Sequence, residues 1–315
     1  MPVSRSLWHT DDTHSEIRSQ ELDLQAGHQL LRSLYSLISL GTEKTIALGG
    51  VPPRIFDRME VPYMEGSFSF PVKYGYSLVA VAEDGRCYHL MHPHQDRVPV
   101  LPESLTLLPS GIPPARATLI SNMETALTAY WDAEPVKKEK ILVAGFGLLG
   151  ALVALLLRLK GFEEITVFEP DPLRSGMARS LGFPSGDPGF DPGPFDLAFH
   201  SSGNPTGLQS CLEVMGIEGR IIELSWYGFQ KSTLALGEYF HTRRLRILAS
   251  QVSSIPRKMA GEWNFARRKQ EVLALLADSC WDKLEIEEGP FENSPALFDK
   301  IRLSQTKGLT YMLKY

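Results

Sequence analysis

At 315 residues the chain is long enough for two domains, each with its own core. Its 43% hydrophobic and 22% charged residues are those of an ordinary globular protein, and no apolar run reaches the ~18 residues that a membrane span needs. A net charge of −5 argues against nucleic acid as a general partner. Three scattered cysteines without a C-x-x-C unit point to a reducing cytoplasm and away from a structural zinc cluster.

In chain order, Met1 to Gln20 is polar and acidic with no apolar centre, so it is not a secretory signal. Residues 22–125 carry short β-like runs broken by Gly and Pro, among them Gln29 to Ser39 and Leu78 to Ala82. From about Ala126 strands alternate with helices. Ile141 to Ala144 reads as a strand running into the G-x-G-x-x-G turn Gly145-Phe146-Gly147-Leu148-Leu149-Gly150. An apolar run from Leu149 to Leu159 follows at helical length, and Ile165 to Glu169 reads as a second strand. Pro184 to Pro194, rich in Pro, Gly and Asp, reads as a surface loop. Asp196 to His200, Gly219 to Leu224 and Leu245 to Ala249 are further strands of a right-handed parallel sheet. Beyond Ser250 come amphipathic helices at Glu262 to Ala277 and Pro295 to Ile301, then a strand at Leu309 to Lys314.

Strand, glycine turn, helix, strand and acid arrive in the order of a dinucleotide-binding unit. Gly145 permits the tight turn, Gly147 lets the backbone approach a pyrophosphate, and Gly150 lets helix and strand pack closely. Leu148 and Leu149 open the helix whose unpaired N–H groups and positive dipole end would face the phosphates. Glu169, 22 residues after Gly147, falls where such folds place their ribose-binding acid. Its carboxylate can accept both ribose hydroxyls and would repel a 2′-phosphate, and Asp171 adds to that repulsion. NAD is therefore expected over NADP, with Arg174 the residue that argues the other way.

Residues 241–270 carry eight basic residues against one acid, Glu262, a local charge of +7. Such a run is a solvated face, a set of inter-subunit salt bridges, or a wall for an anionic small-molecule substrate.

The pieces Tyr35 to Glu43, Gly75-Tyr76-Ser77, Glu124 to Tyr130 and the glycine turn resemble the medium-chain dehydrogenase/reductase superfamily over nearly the whole chain. The first piece is similar to bacteriochlorophyll-pathway hydroxyethyl dehydrogenases. His92 to Gln95, Asn122 to Thr125 and Glu223 to Gly228 look like a bacterial branch of zinc-type alcohol dehydrogenases. The resemblance implies an α/β protein: a GroES-like β-rich catalytic domain over 1–125 and 252–315, and a Rossmann doubly wound parallel sheet over 126–251. It further implies an NAD(P)-dependent oxidoreductase acting on a small molecule, and a homodimer with Arg244 to Ala249 as the edge strand between copies.

The zinc enzymes of that superfamily hold their metal with an early cysteine, a His-Glu pair after a glycine, and a later Cys or Glu. Here those positions read Ser39 and Leu40, Tyr76 and Ser77, and Glu124, and the four-cysteine lobe is missing. Zinc prefers thiolate and imidazole, so catalytic zinc is not expected. A relocated site of His92, His94 and Glu124 stays open, although Pro93 disfavours a regular strand there. Without a metal, the Tyr76 phenol would donate to a carbonyl oxygen, or else pack behind the nicotinamide. Thr42 matches the hydroxyl that relays a proton in the zinc enzymes, or caps a turn. Glu124 holds the relay or caps a helix, and His94 is a general acid/base candidate from its ordinary pKa near ~6.5. The resemblance brings Ser201 and Gly203 to the cofactor ribose and sets Ser225 and Trp226 beside the nicotinamide. Two alternatives remain: a quinone or enone reductase of the same superfamily, and a nucleotide-binding sensor that has lost catalysis.

Overall fold

The computed structural model describes residues 2–191 and 193–315; Pro192, within the expected Pro184–Pro194 loop, lies outside the described residues. Two compact units form, one of Met1–Ser121, Leu273–Ser279 and Ile286–Tyr315, the other of Asn122–Val272 and Cys280–Glu285. The second unit thus runs past residue 251, where the sequence places its end. The reason lies in side chains: Trp263 packs on Trp131 at 4.7 Å between ring centroids, and Arg268 reaches the Glu124 carboxylate. Both tie the 252–272 stretch to the second unit.

That unit is built on six parallel strands: β1 (Ile141–Ala144), β2 (Ile165–Phe168), β3 (Ser185–Gly186), β4 (Phe195–His200), β5 (Met215–Glu223) and β6 (Arg246–Ala249). They lie in the order β3-β2-β1-β4-β5-β6. The runs ILVA and ITVF are buried along their whole length, the pattern of strands covered on both faces, which parallel sheets require. Three helices follow their strands: α1 (Leu148–Leu159), α2 (Pro172–Ser180) and α3 (Pro205–Val214). Leu142, Phe168, Phe195, Leu212 and Ile221 share one core, each burial contributing about 1.5–3 kcal/mol relative to exposure. Part of the expected surface loop, Ser185–Gly186, instead pairs with Val167 and Phe168 as the short edge strand β3. Strand β5 begins at Met215, four residues before the expected Gly219, and its register against β4 shifts between Phe195 and Leu197.

The first unit is mainly antiparallel. Val3–His9 and Ser15–Glu21 form a hairpin with Leu7 opposite Ile17, so the polar N-terminal stretch hides a strand pair that buries Leu7 and Trp8. Its alternation is masked because serines on both faces (Ser4, Ser6, Ser15) are buried along with Leu7 and Trp8. The strand Gln29–Leu37 stops two residues before the expected Ser39, and the helix Leu40–Ala47 follows. Late in the chain, Tyr311–Lys314 pairs antiparallel with that strand (Met312 opposite Leu37, Lys314 opposite Tyr35), which sets Tyr315 beside Ser36. Among the described residues no helix is long and apolar enough to cross a membrane.

Candidate active site

In the second unit the glycine turn explains its own composition. Gly145 has φ 95°, and a Cβ there would stand 2.7 Å from the backbone N and Cα of Ser202. A Cβ on Gly150 would stand 2.0 Å from the Gly145 carbonyl oxygen, so only glycine lets α1 start this close to β1. Gly147 differs: it has an ordinary φ of −75°, and a Cβ there would meet nothing within 4 Å. It is the N-cap of α1 and no side chain caps that helix start. Open space before uncapped N–H groups is a cradle that fits a pyrophosphate.

Glu169 stands at the end of β2 and is 3% exposed. One carboxylate oxygen accepts the Phe146 N–H (2.8 Å); the other accepts the Asp171 N–H (2.9 Å) and faces Arg174 Nη2 at 3.3 Å. The acid therefore braces the glycine turn from below. Asp171 serves as the N-cap of α2, accepting the Arg174 N–H at 2.9 Å, which accounts for it structurally. Arg174 leans on Glu169, so the cation that argued for a 2′-phosphate is drawn to the acid that argued against one.

Ser201 and Gly203 follow β4. Ser201 Oγ donates to the Gly145 carbonyl at 3.1 Å, and the Gly203 N–H donates to Ser225 Oγ at 3.0 Å. Ser225 follows β5 and Trp226, half-buried, is next in line. All these loops lie at strand C-terminal ends, where open α/β sheets bind ligands.

Glu124 is 5% exposed and held by Arg268 Nε (3.2 Å) and Lys269 Nζ (2.5 Å). Arg268 is itself buried, donating also to Thr128 Oγ1 and the Val252 carbonyl. Other cations of the basic segment also make contacts within the unit, some of them exposed. Arg243 donates to the Glu213 and Met215 carbonyls, Arg244 pairs with Glu218, and Lys258 pairs with Glu134. These cations are engaged within the unit itself, a role outside the solvated face, inter-subunit bridges and anionic wall that the sequence leaves open.

In the first unit a cluster of hydroxyls forms around Tyr76. Gly75, at φ 140°, lets the chain pass over Pro93 and His94, 3.1 Å from where its Cβ would sit. Tyr76 is half-buried with its phenol oxygen enclosed and hydrogen-bonded to Ser39 and Thr42. Burial pushes the phenol up to about 12, against the smaller downward pull of those two hydroxyls. Behind it lies a pair that the sequence does not announce: Glu43 and His94, each 1% exposed, with Nε2 to Oε2 2.8 Å. Glu43 also accepts the Ser39 N–H at 2.7 Å, and His94 Nδ1 lies 2.7 Å from Ser36 Oγ, which lies 2.8 Å from the Tyr315 hydroxyl. His94 is thus near the hydroxyl cluster through Glu43, with both ring nitrogens engaged.

His92 is buried, its Nδ1 facing the Pro93 carbonyl at 2.9 Å and its ring stacked on Tyr63. Burial lowers its pKa to about 3. Among the described residues no three His, Cys, Asp or Glu side chains converge as a metal site. Of the His92, His94 and Glu124 side chains, His94 is engaged by Ser36 and Glu43, and Glu124 by two cations.

No family model matches the chain. Over 231 residues it is 27% identical to 2-desacetyl-2-hydroxyethyl bacteriochlorophyllide A dehydrogenase of Rhodobacter capsulatus, covering 68% of this chain and 71% of that protein. It is 24% identical to Escherichia coli L-idonate 5-dehydrogenase over 115 residues, which spans only 34% of each chain. The crystal structure of that enzyme nevertheless superposes on 100% of this chain and 99% of its own, with a TM-score of 0.76 at 14% identity. Acetophenone reductase from Geotrichum candidum, solved with NAD, gives a TM-score of 0.78 at 17% identity over 100% and 98%. In fold the chain matches, and in sequence it is similar to, dehydrogenases of the medium-chain dehydrogenase/reductase kind. At the positions where the resemblance expects zinc ligands stand Ser39 and Leu40, Tyr76 and Ser77, and Glu124; the Tyr76 phenol is hydrogen-bonded to Ser39 and Thr42, and Glu124 is paired with Arg268 and Lys269.

Proposed function

We propose that the chain is an NAD(P)-dependent oxidoreductase that moves a hydride between nicotinamide and a carbonyl/alcohol carbon, with hydroxyl groups in place of a zinc ion at the substrate oxygen. The observation that carries this reading is the glycine turn. Gly147 leaves an open cradle at an uncapped helix start, and Glu169 braces the turn from the next strand.

The bound dinucleotide supplies or accepts the hydride. The chain's own residues do the rest. The first N–H groups of α1 hold the pyrophosphate, and the Glu169 carboxylate keeps lone pairs for ribose hydroxyls. Glu169 favours NAD, and its Arg174 partner makes that preference moderate rather than absolute. Tyr76, with its phenol pushed up to about 12, holds its proton throughout the neutral range and so remains a hydrogen-bond donor to a substrate oxygen. Ser39 and Thr42 orient it, and Thr42, half-buried, can hand a proton outward. Preorganised donors of this kind stabilise developing negative charge without reorganising at the moment of reaction. The exposed edge strand β6 is the candidate junction of a homodimer.

The test is NAD(P)H turnover by metal-analysed protein against aldehydes, ketones and quinones. Carbonyl reduction with zinc well below one atom per chain supports the proposal. Turnover of quinones alone moves the chain to the quinone/enone reductases, cofactor binding without any turnover makes it a sensor, and one zinc per chain refutes the hydroxyl site.

A further inference from the structure

Three strand ends of the parallel sheet are joined by one hydrogen-bond network that hydride transfer does not by itself require. His200 closes β4 and is fully buried. Its Nδ1 lies 2.8 and 3.0 Å from the two carboxylate oxygens of Glu223, which closes β5; its Nε2 lies 2.7 Å from Ser202 Oγ. Glu223 also accepts the Ser225 N–H at 2.7 Å and the Tyr227 hydroxyl at 3.1 Å. Ser225 Oγ accepts the Gly203 N–H, and Ser201 and Ser202 abut the Gly145 turn. The turn after β1, the loop after β4 and the loop after β5 are therefore one connected piece. Packing leaves no slack either: a Cβ on Gly207, in the first turn of α3, would stand 2.6 Å from Ser202 Oγ and 3.0 Å from His200 Nε2. Burying an imidazole beside a carboxylate is costly unless every polar atom is matched, and here they are.

We infer that His200 and Glu223 are positioning residues that lock the loops 201–203 and 225–227 in place to receive the nicotinamide half of the dinucleotide. The inference rests on the reading of the second unit as a dinucleotide site. The sheet order puts β2 and Glu169 on one side of the glycine turn, and β4 and β5 on the other. A dinucleotide whose pyrophosphate sits on the turn and whose adenosine ribose meets Glu169 must extend its other half over β4 and β5. The lock therefore acts on one half of the ligand only.

Ser202, His200 and Glu223 also have the spacing of a nucleophile–base–acid triad. Two contacts close that role. The Gly203 N–H next to the serine, the natural donor to an acyl oxyanion, is committed to Ser225, and Ser202 Oγ already accepts the Asn204 N–H at 3.1 Å.

The experiment is titration of the purified protein with ADP and with NADH or NADPH, whichever the unaltered chain binds more tightly, repeated for Glu223→Ala, His200→Phe and the milder Ser225→Ala. The lock predicts an NAD(P)H dissociation constant raised at least about tenfold by Glu223→Ala and by His200→Phe, with ADP changed less than about twofold. Combining the two substitutions should add little to either alone, because they break one network. Ser225→Ala, which removes a single acceptor and is least disruptive to folding, should show the same selectivity at smaller size. Parallel loss of ADP and NAD(P)H binding, unchanged NAD(P)H binding, or labelling of Ser202 by a fluorophosphonate would each overturn the lock. Failure of the unaltered chain to bind either ligand would refute the dinucleotide reading, and the lock with it.

Discussion

Gly147 and Gly150 lie three residues apart, yet their surroundings assign them opposite sensitivities. A methyl at Gly147 meets nothing within 4 Å, and its φ of −75° suits any residue. Gly147→Ala should thus fold as the parent. Losing a favoured N-cap costs about 0.5–1 kcal/mol, and the stiffer unfolded chain returns about 0.4–1 kcal/mol, so the net change is close to zero. The same methyl intrudes on the space that a pyrophosphate needs. Losing one N–H bond to a charged oxygen costs about 1.5–3 kcal/mol, or about 10- to 150-fold in the dinucleotide dissociation constant. Gly150→Ala inverts the pattern. Its Cβ would stand 2.0 Å from a backbone oxygen, so helix and strand must separate by about an ångström, at about 1–3 kcal/mol or more. A chain of this size then loses roughly 2–4 °C of Tm per kcal/mol. Fluorescence titration with NAD(P)H and a thermal melt on both variants decide the matter. Parental affinity in Gly147→Ala would mean that no phosphate approaches that turn, and a parental Tm in Gly150→Ala would mean that the turn is not packed as described.

Tyr76→Phe should lower kcat by about 10²-fold or more with the cofactor dissociation constant unchanged, as expected for a donor acting on the substrate oxygen; an unaltered kcat removes the phenol from the mechanism. Because burial holds that phenol at about 12, the rate should show no Tyr76-dependent break at the ordinary phenol value near ~10, and a break there that Tyr76→Phe abolishes would contradict the enclosure. His9 and His92 are lowered to about 3, chiefly by burial and further by Arg302 and Lys73 respectively. Both stay neutral in the fold while the unfolded chain protonates below about 6.5, so the stability they preserve is complete above that pH and falls as pH drops towards 3. At pH 5 the loss is about 2 kcal/mol each; urea midpoints that do not move between pH 7 and 5 would speak against it. Glu124→Ala strands the buried Arg268 and should cost about 3 kcal/mol, read as a lower urea midpoint. Proline at Leu248, on the exposed edge strand β6, should give monomers in ultracentrifugation, and a retained dimer would exclude that edge as the junction.

What the sequence discloses about this chain is what lies close together in it. The glycine turn, its strand and its acid fall within about thirty residues, and each glycine's job is local geometry, so turn, helix and strand appear where the sequence puts them. The site partners are not local. His94 meets Glu43 from 51 residues away, Ser36 meets Tyr315 from 279, and Arg268 meets Glu124 from 144. Strand register and the return of Tyr311–Lys314 create those pairs, and periodicity does not carry register between distant strands. Some of the buried polar partners nevertheless leave a trace. Ser36 interrupts the apolar run Leu34 to Leu40, His200 ends Leu197-Ala198-Phe199, and Glu223 ends Ile221-Ile222. A polar side chain at the end of a strand buried on both faces must find a partner across the sheet, so two such ends on neighbouring strands already suggest a pair.

The same reasoning explains the basic segment and the lone surviving ligand position together. Glu124 is buried, and a buried carboxylate without a counter-charge costs several kcal/mol. In a zinc site the metal supplies that charge; in this chain Arg268 and Lys269 supply it from the helix Phe265–Leu276. Part of the +7 stretch is therefore internal neutralisation, and Arg268 looked like surface charge only because sequence does not show which face of its helix turns inward. Tyr76 is matched in a parallel way, its phenol met by Ser39 and Thr42. Glu124 and Tyr76, two positions where the resemblance expects metal ligands, thus each find polar partners within their own unit.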